Sequence, residues 1–573
     1  MLIKAIAALM SLIMTFSGVS FVSPSAVLDS LSELFFGIPY SQVAVNSSFF
    51  DGIDDSDVSE INGNSGFLKD KLLVFLSGDV DFVEKIGIFN QVDGAVIGWC
   101  TPLDLYVLSY MPMSYEQITA ECEKLGKIEG IDLAIPVLAR KIASQKTPDD
   151  PFYDDTDVYP VKQDWDELNA EGRNWWLEAI NARQAWDYDE YFSQVKTGII
   201  DSGFHLEHPD LQGKISFPDE KTASRNYPDD HGTHVAGIIA AKRNNSTGIS
   251  GICENSKLIC VDWEPELMQF WSTNLAIYFG FSKLVQSGAK VVNLSLGVSS
   301  SIMGMNAGFF EKFIETAAYS RSMASLIGKG YDFVVVQSAG NGNYYGIPID
   351  SKENGCFCSI TESNAFLLGT GVEADEVLDR IVVVGSADNN YDGTYSQADY
   401  SNVGSGIDVS APGTDIYSIS YTYPCDVFSG TSMSAPIVTG VASLIWSVNP
   451  DFSGAEVKEI LCSSSNVTVK PNKDVVALNE ENSLGLELTD YKLVNAKLSV
   501  EEALVRTHGN LGKASGVLDV AGNEIPSYIG YGENEYTVFS DGSYSFVAEK
   551  GSGTAQALDA AGELLYEFEI TVE

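Results

Sequence analysis

The sequence predicts an α/β protein: a mostly parallel sheet with helices on both faces, preceded by a small α/β unit and followed by a small all-β module. Three observations carry this reading. From residue 196 onward, short apolar runs at 197–200, 291–294, 333–337 and 381–384 alternate with helical segments. Strands separated by helices pair in parallel, because the crossover helix returns the chain to the same end of the sheet. Before them, residues 71–138 hold strand-like runs around a helical segment, and after residue 504 the chain becomes Gly-rich with short alternating runs.

Composition sets outer limits. A chain of 573 residues exceeds one ordinary domain, and 45% hydrophobic with 20% charged residues is the balance of folded protein. Acidic residues number 79 against 34 basic, a net charge of −45. Such a chain repels phosphate backbones and anionic lipid, so nucleic acid is not expected as a partner. The excess carboxylates suit hard cations such as calcium, or simply a solvated acidic surface.

In chain order, Lys4, the apolar run from Ala5 to Val22 and the small residues Ser23 to Ala26 read as a signal peptide over 1–26, with a retained anchor as the alternative. No later stretch is apolar enough over sufficient length to span a bilayer, so the mature chain is expected without a membrane span, secreted and extracellular. Residues 45–66 are polar and expected to be flexible. Residues 71–76, 106–110 and 131–138 read as strands, and 114–125 as a helix with Ser114 and Gln117 at capping-box spacing. A polar, Pro-containing linker follows over 145–163. The chain thus divides into 1–26, 27–145, a catalytic-sized α/β domain over 146–508, and a β module over 509–573. In that module 536–540, 543–548 and 564–572 read as strands, with Asp541-Gly542 as a hairpin signal. Of the eight cysteines, Cys253 with Cys260 and Cys425 with Cys462 are plausible pairs, buried free thiols being the other reading.

Chemistry gathers at the ends of the predicted strands. Run 197–200 leads directly into Asp201-Ser202-Gly203, a carboxylate at a sheet's carboxyl edge. His231-Gly232-Thr233-His234-Val235-Ala236-Gly237 opens a helix and holds two of only five histidines. Gly430-Thr431-Ser432-Met433-Ser434-Ala435-Pro436 places a serine at a glycine-flanked helix start, where backbone N–H groups face a developing oxyanion. A serine hydroxyl becomes nucleophilic when an imidazole takes its proton, and the imidazole needs a carboxylate to fix its tautomer.

These motifs, in the order Asp, His, Ser, resemble the subtilisin-like (subtilase) serine proteases over roughly residues 159–504. The resemblance implies a subtilisin-like fold and a serine endopeptidase in which Asp201 orients, His231 is the general base and then acid, and Ser432 is the nucleophile. It further implies that Asn341, within Ser338-Ala339-Gly340-Asn341-Gly342, donates to the oxyanion, and that His234 is not the base. Ser295, Leu296, Gly297, Ser338, Ala339 and Gly340 would bind an extended substrate by strand addition. Structural calcium is implied at Asp210, Asn245, Thr247 and Ile249, although an extra residue between Ala241 and Asn244 departs from the family's loop. Residues 71–138 resemble the family's propeptides. Partners are then protein or peptide substrates and the chain's own propeptide, which it would remove itself. The competing class is a binding or scaffold protein on an inactive protease fold working through its β module; a triad with no missing member argues against it. Two long stretches beside the cleft, 300–332 and 343–379, bear on specificity, and the apolar run 309–314 makes part of the first helical.

Overall fold

The computed structural model describes residues 45–46, 53, 55–62, 65–141 and 174–573, apart from 79, 81, 220–221, 224–229, 246, 263–270, 274, 298–308, 344–345, 368–369, 421–424, 519–525, 533 and 540–541. The expected signal peptide and linker lie outside the described residues.

The N-terminal unit is an antiparallel sheet of β1 (Val58–Asn62), β2 (Ser65–Leu76), β3 (Ala95–Cys100), β4 (Leu105–Ser109) and β5 (Ile131–Lys141), with α1 (Tyr115–Leu125) on one face. Ser114 caps α1 as expected: its Oγ accepts from the Gln117 N–H at 3.3 Å, and Gln117 Oε1 accepts from the Ser114 N–H at 2.9 Å, an arrangement that stabilises a helix start by about 1 kcal/mol. The polar stretch 45–66 is not uniformly flexible. Val45–Asn46 pairs with Trp99 and Cys100, and β1 pairs with β2, because strands that present unpaired backbone groups recruit even polar neighbours.

Strand β2 reads as a continuous apolar run rather than an alternating one, and its burial explains why. Leu72, Val74 and Leu76 pack towards α1, whereas Leu73 and Phe75 point the other way, into a core shared with the central domain. There they meet Phe279 and Phe281 of α3 (Leu275–Gln286) and Tyr319 and Met323 of α4 (Phe309–Gly328). At this junction Arg321 of α4 is fully buried. Its guanidinium donates to Asp132 Oδ2 and to the Leu76 carbonyl, each at 2.7 Å. A buried charge deprived of such a partner costs about 3–5 kcal/mol. The Cys100 thiol donates to Ser282 Oγ at 3.1 Å across the same junction. A strand from the central domain, Trp271–Thr273, completes the N-terminal sheet by pairing with Lys141, Arg140 and Ala139 of β5.

Among the described residues the central sheet has ten strands. Its core is a parallel set, with β6 (Val195–Asp201) between β7 (Ser256–Asp262) and β8 (Val291–Leu294), followed outward by β9 (Val334–Ser338) and β10 (Ile381–Asn389). Ile199, Val291, Val334 and Val336 face α2 (His231–Ala240) and α5 (Thr431–Val448), while Ile200, Val292, Leu294 and Val335 face α3 and α4. Helices therefore cover both faces, as the strand–helix alternation predicted. Helix α5 is the one described helix long and apolar enough to cross a membrane, and it is the buried core helix of this domain. Helix α4 accounts for most of the first long stretch beside the cleft.

After α6 (Ala496–Thr507) the described residues form six strands, β11 (Leu511–Val517), β12 (Tyr528–Tyr531), β13 (Asn534–Thr537), β14 (Ser543–Glu549), β15 (Gly551–Leu558) and β16 (Leu564–Val572), in two small sheets. Gly542 lies in a turn, its N–H bonded to the Phe539 carbonyl, but the strands flanking it do not form the expected hairpin. Strand β13 pairs with β12, and β14 with β11, because the seven-residue register offered by β11 outweighs a local one.

The module is locked to the central domain. Glu501 of α6 is fully buried. It accepts from Tyr188 Oη at 3.1 Å and from Ser545, and lies 3.3 Å from Lys513 Nζ. Lys497 Nζ, 3.8 Å from Glu501, donates to the Thr537 carbonyl at 3.2 Å. All eight cysteines are free, seven of them buried. The pairing of Cys253 with Cys260 fails because the latter is well inside the extended strand β7, which rises about 3.3 Å per residue. Cys425 starts a strand paired with Ile416–Ile419, and Cys462 sits on the helix Gly454–Ser463.

Candidate active site

Strand β6 ends at Asp201, which is 2% exposed. Its Oδ1 accepts from the Ser202 N–H at 2.8 Å and lies 2.6 Å from Nδ1 of His231, the first residue of α2. Gly232 makes that approach possible. A Cβ there would sit 2.6 Å from the Gly203 carbonyl oxygen and 2.7 Å from that of Ser202, while its N–H donates to Ser202 at 2.8 Å. With Nδ1–H donated to the carboxylate, Nε2 of the half-buried imidazole keeps its lone pair as an acceptor. His234, one turn on, is fully buried, stacks on Phe428 with ring centroids 4.3 Å apart, and donates from Nε2 to the Ile416 carbonyl at 3.0 Å. Burial, then the neighbouring His231, pushes its pKa down to about 3. It stays neutral near pH 7, a packing residue as the resemblance implied.

Ser432 is the second residue of α5. Its hydroxyl donates to the Ser295 carbonyl at 3.2 Å, and the Ser295 hydroxyl donates back to the Ser432 carbonyl at 2.7 Å. Pro436 supplies the reason for the second bond. Lacking an N–H, it leaves the carbonyl four residues earlier without its helical donor, and that carbonyl is Ser432's. Ser295 replaces the missing donor and is itself held by Asn293 Nδ2 at 3.0 Å, whose Oδ1 accepts from Thr439 at 3.0 Å. The serine is thus braced against the carboxyl end of β8.

Asn341 follows β9 through Gly340, whose φ of +97° favours glycine. Its Oδ1 accepts both the N–H and the hydroxyl of Thr431, at 2.8 and 2.7 Å. That fixes the amide, so Nδ2 is the end left to donate; a Cβ built on Gly430 would lie 3.1 Å from it. Asn402 ties the loop down, donating to the Ala339 carbonyl at 2.7 Å and accepting from the Gly342 N–H at 3.0 Å. Ser295, Leu296 and Gly297 extend β8, while Ser338 closes β9 and Ala339 and Gly340 extend it. Since these strands are parallel neighbours, both segments emerge side by side next to Ser432. A paired carboxylate and imidazole, a helix-start serine and an oriented amide donor are together the equipment of acyl transfer.

Sequence reading missed the supports. Asn293 stands two residues before Ser295, which was singled out, and Pro436 announced the orphaned carbonyl. Asn402 is far along the chain and carried no local signal.

The expected calcium residues also come together, but around a hydrogen-bonded cluster. Asp210 is fully buried; its Oδ1 accepts from Asn245 Nδ2 at 2.6 Å and its Oδ2 from the Ile249 N–H at 3.0 Å. Asn245 Oδ1 accepts from the Thr247 N–H at 3.0 Å. Burial pushes the Asp210 pKa up to about 6 against these hydrogen bonds. One buried carboxylate and one amide suit a hard cation in kind, and the amide and the two backbone N–H groups now occupy the oxygens that would face it. Among the described residues no three His, Cys, Asp or Glu cluster as a metal centre.

Comparison with known proteins bears on the same segment. Residues 193–495 match the model of the subtilase family. Thermitase of Thermoactinomyces vulgaris is 31% identical over 307 residues, covering 52% of this chain and 85% of the relative. Subtilisin DY of Bacillus licheniformis is 32% identical over 284 residues, covering 48% of this chain and 84% of the relative. Among solved structures, fervidolysin of Fervidobacterium pennivorans, described as a keratinolytic enzyme related to subtilisin, aligns over 90% of this chain and 78% of its own with a TM-score of 0.52 at 20% identity.

Proposed function

The chain belongs to the subtilase family and is a subtilisin-like serine endopeptidase, and on that premise we propose that Asp201, His231 and Ser432 are its catalytic triad. The 2.6 Å contact between Asp201 and His231 carries this reading. The carboxylate holds Nδ1–H, so Nε2 receives the Ser432 proton as Oγ turns from the Ser295 carbonyl and attacks the scissile carbon. The tetrahedral oxyanion takes hydrogen bonds from Asn341 Nδ2 and the Ser432 N–H. His231 then protonates the leaving amine, and water repeats the sequence on the acyl-enzyme. Asp201 stays ionised throughout, stabilising the imidazolium. The extended substrate lies along Ser295, Leu296 and Gly297 on one side and Ser338, Ala339 and Gly340 on the other.

A fluorophosphonate probe is expected to label the purified protein at Ser432 and not the Ser432→Ala variant. Absence of labelling in folded, linker-cleaved wild type would overturn the triad and favour the scaffold reading.

The enzyme is made as a secreted, extracellular zymogen. Residues 71–138 are its propeptide, a reading supported by their packing on α3 and α4 and by the pairing of β5 with Trp271–Thr273. The Asp210 carboxylate, the Asn245 amide and the backbone at Thr247 and Ile249 would hold a structural calcium ion. A cation bound only by the folded state stabilises it by mass action. EDTA is therefore expected to lower the melting temperature of active enzyme, with added calcium restoring it; an unchanged melting temperature would remove the ion from this loop.

A further inference from the structure

Both substrate segments end in glycine, and the two glycines face the same side chain. A Cβ built on Gly297 would lie 2.0 Å from Asn354 Oδ1 and 2.5 Å from its Cγ; one built on Gly340 would lie 2.5 Å from that same Oδ1. The Asn354 carboxamide therefore stands in the slot between the two backbone ends. It is 4% exposed, whereas Gly297 above it is open to solvent.

The carboxamide is fixed there. Asn354 Nδ2 donates to the Ser338 carbonyl at 2.9 Å. The turn that carries it is fastened by Gln337 of β9, whose Oε1 accepts from the Phe357 N–H at 2.9 Å and the Cys358 N–H at 3.2 Å. Gln337 Nε2 also donates to the Leu296 carbonyl at 3.3 Å. One buried side chain thus joins the turn to both walls of the slot, so its floor is rigid.

The proposed chemistry decides what enters. With the scissile carbonyl carbon on Ser432 and its oxygen at Asn341 Nδ2, the residue preceding the scissile bond lies over the gap between the two segments. Its side chain would then enter that gap, which opens between Gly297 and Gly340. Glycines on both walls give the gap backbone width, and Asn354 closes it below.

We infer that Asn354 is the specificity-determining residue of this protease, a floor that admits only small side chains and directs cleavage after Gly, Ala or Ser. The inference rests on the triad and oxyanion assignments above. Aromatic and long aliphatic side chains would have to displace a carboxamide whose hydrogen bond is buried, which neither wall permits.

The test uses the enzyme expressed as the full chain and purified after processing, with p-nitroanilide peptides that differ only in the residue before the scissile bond. Wild type is expected to show kcat/KM for Ala about 100-fold above that for Phe, in the range by which pocket size discriminates side chains. Asn354→Ala removes the floor and is expected to raise the ratio of kcat/KM for Phe to that for Ala at least ~10-fold; Asn354→Ser, which retains a small polar group, should shift the ratio the same way to a lesser extent. Fluorophosphonate labelling of Ser432 is measured alongside. A labelled wild type that cleaves after Phe or Leu as well as after Ala overturns the inference and leaves the triad standing. A labelled Asn354→Ala with the wild-type profile overturns it too. A wild type that does not label overturns the site on which it rests.

Discussion

Ser432→Ala is expected to lower kcat by on the order of a million-fold, a magnitude known from subtilisin rather than read from this geometry. The same variant is expected to be exported and folded, yet to accumulate with residues 71–138 still covalently attached. If that unit is a propeptide removed by its own protease, the cut falls between residues 139 and 166, and without Oγ no acyl-enzyme forms. Wild type should then show a new N-terminus in that interval. The comparison is made in a host lacking other extracellular proteases, by N-terminal sequencing and intact mass. A variant trimmed at the same bond and rate as wild type would end the self-processing proposal. Its residual peptidase activity would test the triad separately.

Asn341→Leu is expected to depress kcat by on the order of 100 to 1,000-fold with little change in KM, again a magnitude measured in subtilisin. The amide acts on charge that develops only in the transition state, so substrate affinity should hardly register its loss. The structure adds a reason to expect a full effect. Thr431 engages Oδ1 with two donors, so Nδ2 is aimed before the substrate arrives and no reorganisation accompanies the reaction. Thr431→Val removes one of these donors while keeping the shape, and should reproduce part of the loss. A rise in KM at constant kcat in Asn341→Leu would assign the residue to substrate binding instead.

The parts of this molecule that were legible in its sequence share a physical character. Strand β8 was placed at its observed bounds and β6 and β10 were found within a few residues, because parallel strands buried on both faces must be apolar throughout. The capping box of α1 was visible because its two partners are three residues apart. Asp201, His231, Ser432 and Asn341 could be singled out as candidates because each follows a strand or opens a helix, where a short motif determines the local path. Distance along the chain is what concealed the rest. Asn354 is separated from Gly297 by a long stretch containing a helix and a strand, and no local pattern marks it as the floor of a slot. Asn402 braces the Asn341 loop from a different turn, and Arg321 finds Asp132 in another domain. The β module was expected and is present, but the pairing at its Asp541-Gly542 step was misread for a related reason: Gly542 does make a turn, while pairing was decided by β11 and β12, two strands too Gly-rich to announce themselves.

The lock between the β module and the central domain fixes how the two are presented together. A module on a slack tether raises local concentration and leaves the catalyst free to tumble. Here Glu501 is sealed among Tyr188, Ser545 and Lys513, and the module's core residues Phe546 and Ile529 are continuous with those of α6. The two parts turn together. Any material gripped by the module would find the cleft presented at one fixed angle, so that capture would select which chains on that material can be reached, much as a tool bolted to its handle works only the ground it is pointed at.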